Sequence, residues 1–261
     1  FPMSDMKILI NGKIYTENPS MPWAEAMVID GKKLAYVGDN PGAEAFADGG
    51  EVIDLAGKTV IPGFIDGHTH PATVSKTYWC CRNELTEDKE QLFKNIAETA
   101  EKYPKEVRPY FYYENYFTTT FGEEGPNRWE IDKIVSDRPA RIQDFGDHAC
   151  CYNTMALEML MDENGVPHSV SPIGEPEFKK NADGEYTGWC LESVYEGDEG
   201  IFEALGWKPE TVMNDEMAKP LFDYFKQYGV MAMMDGFTEG DENFRYVYDL
   251  DKAGKLGMFY E

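Results

Sequence analysis

The chain has 261 residues, of which 42% are hydrophobic and 14% aromatic, so it can bury a sizeable core. Its 24 Lys and Arg residues stand against 48 Asp and Glu residues, and the net charge of -24 argues against nucleic acid or an anionic membrane as a partner. The sequence has no apolar run long enough to cross a bilayer and no basic start followed by an apolar stretch, which predicts a cytoplasmic protein. The five cysteines show no C-x-x-C spacing, and we expect them to be reduced and mostly buried.

The N-terminal part of the chain has the pattern of a small antiparallel β-domain. Asn11-Gly12 is the preferred pair for a tight type I′ turn, and the segment Asp30-Gly31-Lys32-Lys33 predicts the turn of a second hairpin. Short strand patterns cover 7–10, 13–16, 26–29, 34–37 and 51–55.

The segment 60–71, VIPGFIDGHTHP, places two histidines one residue apart after a short apolar run that predicts a buried strand. Alternate side chains of a strand point the same way, so His68 and His70 would project together from its end. That arrangement suits two neighbouring ligands on one metal ion. Asp66 is placed to orient one imidazole through a hydrogen bond. The alternative is two ordinary histidines in a loop.

After His70 the pattern changes to alternating helices and strands, as in βα units. Thr86 is the predicted N-cap of the first helix, and Pro104 ends it. The irregular stretch 163–183 interrupts the alternation, and its length predicts a functional loop. Strands are predicted at 110–113, 140–145, 185–192, 230–234 and 256–260, and helices at 131–135, 153–162, 209–228 and 242–252.

Several of these segments resemble the amidohydrolase superfamily, in particular its amidohydrolase family 3 branch, which includes N-substituted formamide deformylases and exoenzyme regulatory proteins. PGFIDGHTHP resembles the first barrel strand of the superfamily. Further matches to the branch are Arg138-Pro139 with Gly146-Asp147-His148, the helix start 153–157, the segment 183–192 and the strand 229–235. The matches follow the family's order along the chain from Met6 onward.

The resemblance implies an α/β fold, with a partial TIM-like (β/α) barrel preceded by a small antiparallel β-sandwich domain. Residues 6–61 would belong to the sandwich and residues 62–261 to the first half of an eight-stranded barrel. Only four or five barrel strands are predicted, so we expect the N-terminal half of a longer protein, inactive by itself. Such a half is expected to self-associate or to bind the missing C-terminal half.

The resemblance also implies a metal-dependent hydrolase that acts on carbon-nitrogen bonds in a small-molecule, amide-like substrate. The expected cofactor is a divalent metal, zinc first, with one or two ions left open because imidazole suits several metals. His68 and His70 are the expected ligands. The family's bridging carboxylated lysine has no counterpart in the strand 230–235, so Glu192 and Asp235 are the candidate carboxylate ligands in its place.

Two more histidines and two other functions remain open from the sequence. His148 follows a predicted strand end and would contact the substrate carbonyl or the developing oxyanion, or else be a hydrogen-bonded structural residue. His168 lies in the irregular stretch and would be solvated or face the substrate. The alternatives to amide hydrolysis are a regulatory or scaffold protein derived from an amidohydrolase, and a deaminase or cyclic amidase.

Overall fold

The structure is a computed structural model that describes residues 6–171, 174–236 and 240–261. Within these ranges the chain divides into two compact units. The first unit comprises 6–70, 222–236 and 249–261, and the second comprises the described residues of 71–221 and 240–248. The predicted domain boundary between residues 61 and 62 stays a prediction.

Strands and helices together confirm the predicted α/β class. The strands are β1 (Met6–Ile10), β2 (Lys13–Tyr15), β3 (Trp23–Ala24), β4 (Ala26–Asp30), β5 (Lys33–Gly38), β6 (Gly50–Asp54), β7 (Thr59–Val60), β8 (Phe64–Thr69), β9 (Cys81–Arg82), β10 (Phe111–Tyr116), β11 (Ala140–Asp144), β12 (Ala149–Tyr152), β13 (Glu177–Lys180), β14 (Tyr186–Leu191), β15 (Val230–Asp235) and β16 (Phe259–Tyr260). The helices are α1 (Asn40–Glu44), α2 (Lys89–Lys102), α3 (Arg128–Asp132), α4 (Thr154–Met159), α5 (Glu199–Leu205), α6 (Asp215–Gln227) and α7 (Gly240–Lys252).

The first unit contains two small sheets, with strand orders β5-β4-β1-β6 and β3-β2-β7. The predicted hairpin turn at Asn11-Gly12 is wrong, because β1 and β2 belong to different sheets. The two residues form a corner instead: Asn11 has a φ of 55°, and the amide of Gly12 donates to the carbonyl of Glu25 over 2.7 Å. A Cβ on Gly12 would lie 2.4 Å from Cδ1 of Leu55, so a larger residue at this corner would require the Leu55 side chain to move.

The second predicted hairpin is confirmed, since β4 and β5 pair antiparallel with Asp30 opposite Lys33. β1 pairs with β6 and β2 pairs with β7 in parallel, so the region is mixed rather than wholly antiparallel. These parallel pairs bring together strands that are distant in sequence, which hairpin patterns do not encode. The core of the larger sheet consists of Ile8, Ala26, Val28 and Ala43.

The histidine-bearing strand β8 lies at the edge of a third sheet, with strand order β16-β15-β8 and parallel pairing throughout. The prediction of a buried strand is wrong. The predicted strand is interrupted between β7 and β8, and Phe64 and Ile65 are 55% and 76% exposed. Parallel strands are usually covered on both faces. Phe64 and Ile65 follow each other in the strand and so point to opposite faces, and their exposure shows that neither face is covered at these positions.

The second unit is built on a six-stranded sheet, β13-β14-β12-β11-β10-β9. β9, β10 and β11 are parallel, while β11, β12, β14 and β13 pair antiparallel. β12 and β13 were not predicted, and β13 lies inside the stretch expected to be irregular; residues 172–173 of that stretch lie outside the described residues. Both sheet faces are covered by buried side chains, and all five cysteines are free and buried as predicted.

Helix starts follow capping chemistry in most places. The cap of α2 is Asp88, whose side chain accepts from the amide of Gln91, and not Thr86 as predicted. Asn153 caps α4 by accepting from the amide of Ala156. The helix predicted over 209–228 begins later, as α6. Across the parts of the chain that the structure describes, none of the helices combines the length and apolarity needed to cross a membrane.

Candidate functional site

The end of β8 brings the two predicted ligand histidines together. The ring centroids of His68 and His70 are 4.8 Å apart, and the rings are nearly perpendicular at 84°. β15 runs parallel beside β8 with Asp235 opposite Thr69, so this aspartate lies at the same edge of the sheet. The carboxyl ends of two parallel strands therefore place two imidazoles and one carboxylate next to each other, and their role as ligands stays a prediction.

Asp235 is held in place by its neighbours. Its side chain is only 1% exposed, and Oδ1 lies 4.0 Å from Nδ1 of His70. The other oxygen, Oδ2, accepts a hydrogen bond from the hydroxyl of Tyr260 over 2.5 Å, and the backbone amide of Asp235 donates to the carbonyl of Glu261. β16 thus orients the carboxylate toward the histidines.

Gly236 provides the space for the imidazole of His68. A Cβ at this position would lie 2.5 Å from Cε1 and 2.6 Å from Nδ1 of the ring, far inside van der Waals contact. The backbone is tied here by a hydrogen bond from the amide of Gly236 to the carbonyl of Thr69. Asp66 does not orient the ring as predicted; it accepts a hydrogen bond from the backbone amide of His68 over 3.1 Å.

These donors fit a divalent metal ion in type, and His70 and Asp235 also approximately in spacing. Adjacent ligands of a tetrahedral zinc ion lie roughly 3.4 Å apart, since each zinc bond is about 2.0–2.1 Å long. The 4.0 Å between His70 and Asp235 is somewhat wider. Among the described residues no three His, Cys, Asp or Glu side chains are grouped to hold an ion, so other groups would have to complete the coordination.

His148 and Glu192 form a pair in the second unit. Nδ1 of His148 lies 2.9 Å and 3.2 Å from the two carboxylate oxygens of Glu192. This hydrogen bond raises the pKa of His148. Burial opposes the rise, and the charges of Glu192, Asp144 and Asp147 also raise the pKa. The pair joins the residue predicted to contact substrate with one of the two predicted carboxylate ligands.

His168 forms a comparable pair with Asp162, within a single loop. Nε2 of His168 lies 3.2 Å from Oδ2 of Asp162. The backbone amide of Val166, and then His168, lower the pKa of Asp162 to about 2. His168 is therefore a hydrogen-bonding partner of the Asp162 carboxylate.

A buried polar network in the second unit was not predicted from the sequence. Arg141 and Asp198 are both almost fully buried, with Nη1 3.1 Å from Oδ2. The hydroxyls of Tyr110 and Tyr152 donate to the carboxylate of Asp198 over 2.6 Å and 2.9 Å. Burial raises the pKa of Asp198, while Arg141 and the two hydroxyls oppose that rise. The sequence offers one signal for this network: Arg141 and Gln143 alternate with apolar residues in a predicted strand.

A second buried ionic group surrounds Glu114 on β10. Its side chain is nearly inaccessible, and its carboxylate bonds Nη2 of Arg82 over 2.5 Å. The Nζ of Lys76, also buried, lies 3.8 Å from the other oxygen. Two cations around one carboxylate keep this charge compensated inside the unit.

A profile of the amidohydrolase family matches residues 51–258. The chain belongs to this family. Among its relatives, the exoenzymes regulatory protein AepA of Pectobacterium carotovorum subsp. carotovorum is 29% identical over 96% of this chain and 54% of its own length. The N-substituted formamide deformylase of Arthrobacter pascens is 30% identical over 74% of this chain and 35% of its own length. The chain therefore spans about half the length of the first relative and about a third of the second.

A solved structure shows that this chain of the amidohydrolase family shares its fold with a known protein. It is an uncharacterized metal-dependent hydrolase from Pyrococcus horikoshii OT3, with a TM-score of 0.57 and 23% identity over 98% of this chain and 47% of the other. At this identity the likeness concerns the fold. Through the amidohydrolase family the chain resembles enzymes over residues 51–258.

Proposed function

We propose that the chain is part of a metal-dependent hydrolase that cleaves the carbon-nitrogen bond of a small, non-peptide amide. The observation that carries the proposal is the convergence of His68, His70 and Asp235 at the carboxyl ends of β8 and β15. This is where parallel α/β folds carry their catalytic groups. Family membership supports the same reaction class.

Each residue has a definite task in this proposal. When bound, a divalent metal would supply two effects: polarisation of the substrate carbonyl, and a water molecule that ionises near neutral pH. His68 and His70 would hold the ion, and Gly236 leaves room for the ring of His68. Tyr260 fixes one oxygen of Asp235, leaving the other directed toward the histidines. His148 would contact the substrate carbonyl or its developing oxyanion.

The finer fold expectations belong to the same proposal. Residues 6–61 would form part of a β-sandwich, and residues 62–261 the first half of a TIM-like barrel. The likeness to a metal-dependent hydrolase over 98% of the chain, but only 47% of that protein, supports this assignment. The remaining ligands would then come from later strands, and the chain by itself would be inactive.

We also propose that the partner is a small amide-like molecule, with no nucleic acid or membrane involved. The chain would in addition self-associate or bind the C-terminal half of the barrel. The exposed apolar side chains Phe64, Ile65 and Phe259 in the parallel sheet support such covering, because this kind of sheet is usually buried on both faces. Sedimentation of the purified chain should therefore reveal oligomers.

Metal binding tests the site directly. The chain is purified without a histidine tag, stripped with chelator, and titrated with Zn²⁺, Mn²⁺ and Fe²⁺ while bound metal is measured by elemental analysis. We expect weak binding that His68→Ala and His70→Ala abolish, because each removes a ligand, and that His168→Ala leaves unchanged. Equal binding by all four proteins would refute the assignment.

Because the chain by itself would be inactive, substrate class is tested with the metal-loaded protein that also contains the proposed C-terminal half of the barrel. N-formyl and N-acyl amines are compared with hydantoins and amino-pyrimidines, which distinguish amide hydrolysis from the cyclic amidase and deaminase alternatives. Hydrolysis of N-formyl amines that depends on His68 supports the proposal. Hydrolysis of hydantoins alone would indicate a cyclic amidase, and hydrolysis of amino-pyrimidines alone would indicate a deaminase.

A regulatory role is the second candidate, because the relative that matches 96% of the chain is named as an exoenzymes regulatory protein. In that case the fold would persist without metal-dependent chemistry. If the protein that contains both halves of the barrel folds stably but shows neither metal binding nor hydrolysis, this role is favoured over the hydrolase.

A further inference from the structure

The pairing of His148 with Glu192 is set by strand register. β12 and β14 are antiparallel with Ala149 opposite Leu191, so the next residues along, His148 and Glu192, are also opposite each other. The amide of Glu192 donates to the carbonyl of His148 over 2.8 Å. Side chains of directly opposed residues lie on the same face and in reach of each other. The sheet therefore holds the carboxylate beside the imidazole.

The backbone at both ends of the pair is unusual for non-glycine residues. Asp147 and Glu192 have φ values of 59° and 61°, in the left-handed region. Such conformations persist where the surroundings impose them, and they occur preferentially at functional positions. Here they end the two strands while keeping the side chains of His148 and Glu192 in contact.

The carboxylate decides which nitrogen of His148 carries hydrogen. An ionised carboxylate only accepts hydrogen bonds, so Nδ1, 2.9 Å from Glu192, must be the protonated nitrogen in the neutral ring. Nε2 is then the nitrogen directed away from the pair. The side chain of His148 is 72% exposed, and among the described residues none forms a hydrogen bond with its Nε2.

We infer that Glu192 is a positioning residue: it fixes the orientation and tautomer of His148 so that Nε2 is the atom offered to an amide substrate. The inference rests on the proposed function and replaces the metal-ligand role for Glu192, whose two oxygens both lie at Nδ1 of His148. Nε2 donates to the carbonyl oxygen when the ring is protonated. It accepts from the amide N–H when the ring is neutral.

The chain contains a matched control for this geometry. His168 and Asp162 form a histidine–carboxylate pair of similar exposure, 67% for the ring, but the contact is made through Nε2. The expected neutral tautomer of His168 is therefore the opposite one. A general effect of exposed carboxylates on nearby imidazoles would act on both pairs, whereas the positioning of Nε2 concerns His148 alone.

Long-range proton–nitrogen correlation spectra of the histidine-labelled chain test the inference at a pH where imidazoles are neutral. Signals are assigned from single histidine substitutions. We expect the Nδ1–H tautomer for His148 in the wild type and in Asp162→Asn, a retained tautomer in Glu192→Gln, and a shift toward the Nε2–H form in Glu192→Ala. An Nε2–H tautomer in the wild type, or the same tautomer in Glu192→Ala, would overturn it.

A neutral amide then tests what Nε2 contacts. N-benzylformamide is titrated while the ring signals of His148 and His168 are followed. We expect a saturable shift at His148 that weakens at least several-fold in Glu192→Ala and is unaffected by Asp162→Asn. No shift at His148 would overturn the substrate contact. Neither the tautomer of His148 nor its response to N-benzylformamide requires metal. Failure of metal binding at His68 would therefore refute the proposed function, while the role of Glu192 is still decided by these two measurements.

Discussion

Replacing Gly236 by alanine should weaken metal binding through the ring of His68. The added Cβ would lie 2.5 Å from Cε1 of that ring, whereas ordinary carbon contacts begin at about 3.5 Å, so the ring must move by roughly 1 Å. Ligand positions tolerate only about 0.5 Å of displacement. Loss of groups that orient a ligand typically lowers metal affinity about 10–100-fold, and we expect Gly236→Ala to fall in that range.

Gly67 offers a matched control on the same strand as His68. A Cβ at Gly67 would meet no atom within 4 Å, so Gly67→Ala should leave both the fold and metal affinity unchanged. Affinity is measured by calorimetric titration of Zn²⁺ into each chelator-stripped protein, with thermal unfolding as a check on stability. Wild-type affinity in Gly236→Ala, or an equal loss in Gly67→Ala, would refute the argument from ring displacement.

Asp198→Ala should destabilise the second unit by about 3–5 kcal/mol in urea unfolding, because it leaves the buried charge of Arg141 uncompensated; a loss below about 1 kcal/mol would contradict this. Glu192→Gln should lower the pKa of His148 toward its ordinary value of 6.5, as followed by proton NMR, and an unchanged titration would show that Glu192 does not raise it. In the wild type, the pair of His148 and Glu192 stabilises the folded chain at pH values below the ordinary pKa of histidine. This contribution to the free energy of unfolding is lost as the pH rises through the raised pKa of His148. Asp162 has a pKa lowered to about 2, so it stabilises the fold above the ordinary carboxyl pKa and this contribution disappears on acidification. Asp162→Asn should therefore reduce the loss of unfolding free energy between neutral and acidic pH, measured by urea unfolding at a series of pH values. An unchanged pH dependence would refute the stabilising role of Asp162.

The grouping of His68, His70 and Asp235 was partly predictable, because the two histidines are close together along the chain. His68 and His70 are two residues apart, and strand alternation alone predicts that they share a side. Asp235 was a weak candidate, since nothing in the sequence states that β15 pairs with β8. The contribution of Gly236 depends on that pairing and the contribution of Tyr260 on the pairing of β16 with β15, and no sequence pattern pointed to them.

Turn chemistry predicted one hairpin and misassigned another for a physical reason. Asp30–Lys33 joins strands that pair with each other, but Asn11-Gly12 joins strands of two different sheets. Positive φ is available to Asn and Gly in a hairpin and in a corner alike. The choice between them is made by which distant strands supply partners, here β6 and β7.

The sequence by itself determined the family, the α/β class and the histidine pair at a strand end, because these depend on residues close together along the chain. Only the tertiary structure decided the exposure of β8, the partner of His148 and the burial of Arg141 against Asp198. The last two contacts join residues 44 and 57 positions apart. Contacts of that separation form only when long loops close, and their gain depends on the packing of the whole unit rather than on local propensity.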